Sequence, residues 1–340
     1  MKITQYVVSL AVAAAFGMAA SAASAQTLNA IKQRGVVNCG SSTGLAGFGM
    51  PDAQGKWAGL DVDVCRAVAA AIFNDPTKVK FVPLTAKDRF TALQSGEVDL
   101  LVRTTTWTSS REGQLGLEFA GVNYYDGQGF MVRKSLKVKS ALELSDAAVC
   151  VAQGTTTELN LADYFRANKM KLKAIAFADT DQTIKAYDSG RCDAFTTDAS
   201  GLYAERLRLS NPDDHVVLPE IISKEPLGPV VRKGDDQWLD VVKWTHFAML
   251  NAEEAGITQA NVDEMLKSSD PNIKRLLGAE GNFGEHFGLT KDWAYRIIKH
   301  VGNYGESFER NVGQGSPIKI ARGLNALWTK GGLQYGPPVR

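Results

Sequence analysis

The sequence predicts an α/β protein of two lobes, each a mostly parallel sheet with helices on both faces. Three observations carry this. From Val36 to Phe195, short apolar runs alternate with stretches whose apolar residues recur at helical spacing, which is how strand–helix–strand units read. The pattern A-x-x-S-G-x-x-D occurs twice, over Ala92–Asp99 and again over Ala186–Asp193, as expected of two lobes of like topology. The chain of 340 residues, 44% of them hydrophobic, is also long enough to bury two cores.

The N-terminus reads as a separate element. Lys2 supplies a positive start, Tyr6 to Ala20 an apolar stretch, and Ala23-Ser24-Ala25 a small-residue cleavage site before Gln26, so residues 1–25 are expected to be a cleaved secretory signal. No later window reaches the length of a membrane helix. The 38 basic and 37 acidic residues fall to 37 against 37 once Lys2 is removed, which argues against binding nucleic acid or anionic membrane through bulk charge. Export favours bridges among Cys39, Cys65, Cys150 and Cys192 over free thiols. Three pairings exist, and buried unpaired cysteine is the alternative. If two lobes move against each other, Cys39 with Cys65 and Cys150 with Cys192 is favoured, because a bridge between lobes would lock them. No C-x-x-C spacing suggests a metal.

In chain order, Ile31 to Arg34 ends a short helix and Gly35–Cys39 reads as the first strand, running into the glycine-rich loop Gly40–Gly49. That loop lacks the G-x-G-x-x-G order of a dinucleotide site. Asp61 and Asp63 suit the N-terminus of the helix that follows, as caps rather than as a catalytic pair. Val79–Leu84 is a strand, Arg89–Gln94 a helix stopped at Gly96, and Val98–Val102 a buried strand. The second α/β run takes Ala147–Val151 as strand, a helix through Tyr164 and Phe165, Leu172–Phe177 as strand, Thr183–Asp188 as helix and Cys192–Phe195 as strand. Glu225–Arg232, with two prolines, is the expected crossing back to the first lobe. A long amphipathic helix runs from Trp238 to Ala255, and the remainder reads as helical, with Trp293, Tyr295, Tyr304 and Trp328 as core or packing aromatics first and a partner surface second.

The stretch Arg103-Thr104-Thr105-Thr106-Trp107-Thr108-Ser109-Ser110-Arg111-Glu112 concentrates hydroxyls, backbone N–H groups and guanidinium after a buried strand. Loops at the carboxyl ends of strands in open α/β sheets are where ligands sit, so an anion site is expected here; a solvated Ser/Thr-rich loop is the alternative. The equivalent strand end in the second lobe delivers Thr197 and Asp198, so a cation and an anion would meet across one cleft.

With the loop Cys39–Phe48, the run Arg103–Thr108 and the tail Gly323–Gly332, the chain resembles the periplasmic substrate-binding proteins of ABC-type amino-acid importers, the polar amino-acid group, and within it the general L-amino-acid-binding subgroup. The resemblance implies a two-lobed periplasmic binding protein fold of type II: residues 27–130 in the first lobe, a hinge at 131–134, the second lobe over 135–225, a hinge at 226–232, and a return to the first lobe over 233–340 with a helical extension. It implies a periplasmic monomer that binds L-amino acids of broad specificity without a cofactor and delivers them to inner-membrane ABC permease subunits. Residue by residue, the α-carboxylate falls to a backbone amide at Thr104, to Thr106 and to Arg111, with a further amide at Thr155 or Thr156, and the α-ammonium to Asp198. A side-chain pocket is assigned to Ser41, Leu45, Phe48, Ala86, Arg103 and Trp107. Where relatives sandwich the ligand between aromatics, this chain has Leu45 and Ala86, which suits a permissive pocket. The competing expectation is an exported dehydratase or lyase on the same scaffold, which would need a general acid or base in the cleft. His215, His246, His286 and His300 lie outside the two ligand loops, and Glu158 reads as a helix cap.

Overall fold

Two five-stranded sheets organise the chain in the computed structural model, which describes residues 26–340. The signal segment expected over residues 1–25 lies outside the described residues. In the first sheet the strands run in the order Val79–Leu84, Val37–Ser42, Leu100–Leu101, Val230–Arg232 and Leu117–Phe119. The first three are parallel, and Val230–Arg232 returns antiparallel to both its neighbours. Helix Leu60–Phe73 buries eleven of its fourteen residues against this sheet and against helix Trp293–Val301; its run Ala67–Ala71, interrupted only by Val68, lets the helices approach closely.

The second sheet repeats the plan in the order Lys173–Phe177, Ala148–Ala152, Ala194–Asp198, Gln128–Arg133 and His215–Val217. Its first three strands are parallel and its last two antiparallel. Each half carries one disulfide, Cys39–Cys65 at 2.01 Å and Cys150–Cys192 at 1.94 Å, and neither joins the two sheets.

The duplicated A-x-x-S-G-x-x-D pattern performs the same tasks in both lobes. Ser95 and Ser189 donate to the carbonyls of Ala92 and Ala186 at 3.1 and 3.0 Å. Gly96 and Gly190 adopt φ of +81° and +84°, the left-handed turn that ends each helix. Asp99 then accepts from the amide of Asn38, and Asp193 from that of Ala148, each at 2.8 Å. The motif therefore ends a helix and registers the next strand against Val37–Ser42 in one sheet and Ala148–Ala152 in the other.

The chain passes between the sheets along a two-stranded ribbon, Tyr124–Asp126 paired antiparallel with Glu225–Leu227. Residues 131–133, expected in a hinge, lie instead in strand Gln128–Arg133, which pairs within the second sheet with Ala194–Asp198 and His215–Val217. Beyond the ribbon, helix Asp236–Glu254 and the C-terminal helices close over the first lobe: Trp238, Trp293, Tyr304 and Phe308 belong to the same core as Val37, Leu60 and Val68. Trp328 departs from its expected packing role, being 51% exposed and set against Tyr335.

The two aspartates expected as helix caps do other work. Gly59 is the N-cap of helix Leu60–Phe73 and no side chain caps it. Asp61 accepts from the amide of Thr104 at 2.8 Å and from Nδ2 of Asn123 at 2.9 Å, while Asp63 accepts from Ser307 at 2.6 Å and Asn311 at 2.7 Å and pairs with Arg310. Both are buried, and their partners arrive from distant parts of the chain, so local position alone does not reveal the contacts.

Candidate ligand-binding cleft

A cleft of about 680 Å³, counting its open mouth, lies between the two sheets. Its first wall comes from loops at the carboxyl ends of Val37–Ser42, Val79–Leu84 and Leu100–Leu101, and its second from loops after Ala148–Ala152 and Ala194–Asp198. This is where an α/β sheet with parallel strands presents its loop residues and helix N-termini together.

The Arg103–Glu112 stretch builds the first wall. Thr104 adopts φ of +40°, unusual for a β-branched residue, and sends its amide to Oδ2 of Asp61 at 2.8 Å. The segment then runs beside the return crossing: Gly228 donates to the carbonyl of Thr105 at 3.0 Å and Trp107 to that of Pro226 at 2.8 Å. Thr106 places its hydroxyl 2.6 Å from Oε2 of Glu225. Thr108 caps helix Ser109–Gln114, accepting from the amide of Arg111 at 3.3 Å. The Arg111 guanidinium lies 5.1 Å over the ring of Phe90 and donates to the carbonyl of Thr106 at 2.7 Å.

On the second wall, helix Thr156–Ala167 begins at the cleft. Thr155 is its N-cap, accepting from the Glu158 amide at 3.1 Å, and Glu158 reaches back to the amide of Gly154 at 3.1 Å. Thr156 donates to the Glu225 oxygen that Thr106 also uses, at 2.9 Å, and Asn160 and Ser223 both bind the other oxygen at 2.7 Å. Glu225 is 1% exposed, so these four donors support a carboxylate removed from water. The walls also meet at the backbone: a Cβ on Gly154, whose φ is +72°, would stand 3.3 Å from Cα of Lys87.

Opposite charges face one another here. Arg89, Arg103 and Arg111 come from the first lobe; Asp198 comes from the second, with Asp126 and Glu225 on the connecting ribbon. Burial, with Asp126 and Glu225 as neighbours, pushes the Asp198 carboxyl well above the usual carboxylate range, against the pull of Arg89 and Arg111. Asp126 is raised to about 6, chiefly by burial and despite its bonds from Ser200 and Gly127. Burial likewise lowers Arg103 to about 10, with Asp61 and Asp198 opposing. Carboxylates displaced in this way cluster at functional sites.

The structure brings most of the assigned residues together. Thr104, Thr106, Thr155, Thr156 and Asp198 line the cleft, as do Leu45, Ala86 and Arg103. Arg111 is buried beside it, 7% exposed and behind its bond to Thr106. Three pocket assignments do not hold. Phe48 is fully buried, edge-on to Tyr124 in the first lobe's core, because the loop folds it inward. Ser41 is 1% exposed on its strand, and its neighbour Ser42 lines the cleft instead. Trp107 turns outward, stacks on Phe119 and bonds Glu112 at 2.9 Å. The amide expected from Thr104 is already spent on Asp61. Sequence reasoning missed Arg89, Ser200 and Glu225; Arg89 follows a strand's carboxyl end and could have been found by the rule that located Arg103. None of the four histidines lines the cleft. Among the described residues, no group of His, Cys, Asp and Glu is placed to hold a metal ion, and no helix is long and apolar enough to cross a membrane.

Two α/β lobes joined by a ribbon, with a charged cleft between them, define a solute-binding architecture. The chain belongs to the bacterial extracellular solute-binding proteins, family 3, whose pattern it matches over residues 37–259. It is 65% identical to the general L-amino acid-binding periplasmic protein AapJ of Rhizobium johnstonii over 96% of this chain and 97% of that one. It is 56% identical to the glutamate/glutamine/aspartate/asparagine-binding protein BztA of Rhodobacter capsulatus, over 100% of both. A solved ABC transporter periplasmic binding protein from Brucella ovis with glutathione bound superimposes with a TM-score of 0.92 at 66% identity, covering 93% of this chain and all (100%) of that one. The C-terminal extension lies outside the family match but within the span shared with these proteins. The chain is thus a solute-binding protein of a transport family and not an enzyme.

Proposed function

We propose that this protein is exported to the periplasm by its cleaved N-terminal signal, binds L-amino acids of broad specificity between its lobes, and hands them as a monomer to the membrane subunits of an ABC importer. The observation that carries the reading is the opposition of charge across one cleft, Arg89 and Arg103 on the first wall and Asp198 on the second, with Arg111 buried behind Thr106. Arg111, with Thr106 and the amide of Thr156, takes the α-carboxylate; its planar fork bonds a carboxylate bidentately. Asp198 takes the α-ammonium. Every amino acid carries both groups, so a site reading only these is general. Leu45 and Ala86, where an aromatic pair would impose a shape, leave room for varied side chains. The names of the Rhizobium and Rhodobacter relatives support amino acids as the ligand class. Glutathione, found in the Brucella protein, bears the same α-ammonium and α-carboxylate at its glutamyl end. Lobe closure around the ligand excludes water and strengthens each contact.

The test is titration calorimetry of purified, refolded protein with the standard L-amino acids. Binding of several is expected; no heat from any of them would reject the reading. A dehydratase or lyase is disfavoured, since the relatives are carriers and no histidine lines the cleft.

A further inference from the structure

Arg89 is a buried guanidinium short of acceptors. It opens helix Arg89–Ser95, lines the cleft and is 2% exposed. Its Nη1 donates over long distances, 3.3 Å to the carbonyl of Arg103 and 3.4 Å to the hydroxyl of Thr105, and its buried Nε has no partner. A guanidinium carries five N–H donors, and each left unpaired away from water costs free energy that an incoming oxygen can recover.

Arg103 stands beside it, also lining the cleft, 8% exposed and anchored through Nε to the carbonyl of Leu84 at 2.9 Å. That bond uses one donor of its fork. Apart from Asp198, assigned above to the α-ammonium, the carboxylate lining the cleft is Glu205, and both its oxygens are taken by Nη1 of Arg208, at 3.2 and 2.9 Å.

We propose that Arg89 and Arg103 form a second anion subsite, distinct from the α-carboxylate contact, that receives a carboxylate or amide oxygen at the far end of the ligand. Acidic amino acids, their amides and γ-glutamyl peptides carry such an oxygen; aliphatic amino acids do not. Breadth and preference then coexist: the zwitterion contacts admit any amino acid, while the remaining donors of the two guanidinium forks rank those with a distal acceptor higher. The assignment rests on the zwitterion reading above, since it requires the other end of the ligand to be held by Arg111 and Asp198.

The experiment is calorimetry with L-glutamate, L-glutamine and L-norvaline, which share a carbon-chain length and differ in the distal group. The wild-type protein is expected to bind norvaline about tenfold or more less tightly than glutamate, the fold-change of a charge-assisted bond. In Arg89→Met and Arg103→Met the glutamate-to-norvaline affinity ratio should fall towards one. An unmoved ratio in the folded variants, or norvaline binding as tightly as glutamate to the wild type, would overturn the subsite while leaving the zwitterion reading intact. Absence of binding by every amino acid would overturn both. Should a variant fail to fold, the wild-type ratio decides alone.

Discussion

The hydroxyl of Thr106, on the first lobe, and the hydroxyl of Thr156, on the second, both donate to Oε2 of Glu225, at 2.6 and 2.9 Å, and stand 3.3 Å from one another. One ribbon carboxylate thereby ties the two walls of the cleft. Replacing Glu225 by Ala strips four donors of their acceptor and should cost about 1–3 kcal/mol of stability, measured by urea unfolding. The same change should favour the open form, seen as a larger radius of gyration of the ligand-free protein in small-angle scattering. An unchanged radius would mean that Glu225 does not hold the walls together.

Arg111→Ala should weaken amino-acid binding by about 2–5 kcal/mol, roughly 30- to 5000-fold, because a carboxylate drawn into the cleft would lose its paired cation. Calorimetry reads this directly. Unlike the Arg89 and Arg103 variants, this one should penalise norvaline and glutamate alike. A selective loss of glutamate alone would move the α-carboxylate to another arginine.

Proton linkage has a defined sign. Burial lifts the folded-state values of Asp61 and Asp126 from 3.8 to about 6, so in that window the native protein holds protons that the unfolded chain has released. Their contribution to stability is fully present below the unfolded value and is lost as pH rises through about 6. Asp198 is raised in the same direction, and a ligand ammonium beside it would favour its ionised form. Binding should therefore release protons, and affinity should fall as the solution is acidified. Titrations in two buffers of unlike ionisation enthalpy would report the release, and Asp198→Asn should abolish most of it together with tight binding.

The C-terminal tail braces the ribbon. Asn325 accepts from the amide of Tyr125 at 2.7 Å and donates to its carbonyl at 3.0 Å, while Tyr304 bonds the carbonyl of Asn123 at 2.9 Å and Gln334 that of Val122 at 3.2 Å. Asn325→Ala should destabilise the protein by about 1–3 kcal/mol, since it leaves two backbone groups unpaired, with the loss visible as a lower melting temperature. Faster amide exchange confined to the ribbon would locate the effect.

Local chemistry made the architecture legible. Gly96 and Gly190 each had to end a helix, and the repeated aspartates set two strands, so the two lobes follow from a pattern contained in adjacent residues. The strand-end rule likewise reached Thr106 and Asp198, and the family resemblance supplied Thr156. What escaped were positions defined by long-range pairing. Glu225 reads as part of a proline-bearing crossing, and becomes a site residue only when its strand lies against Thr106, 119 positions away. Gln128–Arg133 is an apolar extended run that would suit a connector or a central strand; its partners, Ala194–Asp198 and His215–Val217, decide the matter. Phe48 sits in a glycine-rich loop that looks free to meet ligand, yet its ring is needed under Tyr124.

The ribbon that joins the lobes would ordinarily present two open edges. Thr106 forms a bridge with Leu227 on one side, and the amide of Asn325 copies a strand partner for Tyr125 on the other. Neither edge offers free donors and acceptors in register, so the ribbon that joins the lobes is also closed to β-addition by a neighbouring chain. Lobe motion about this ribbon would then expose no template for aggregation, a safeguard that deletion of residues 323–340 would remove from one side.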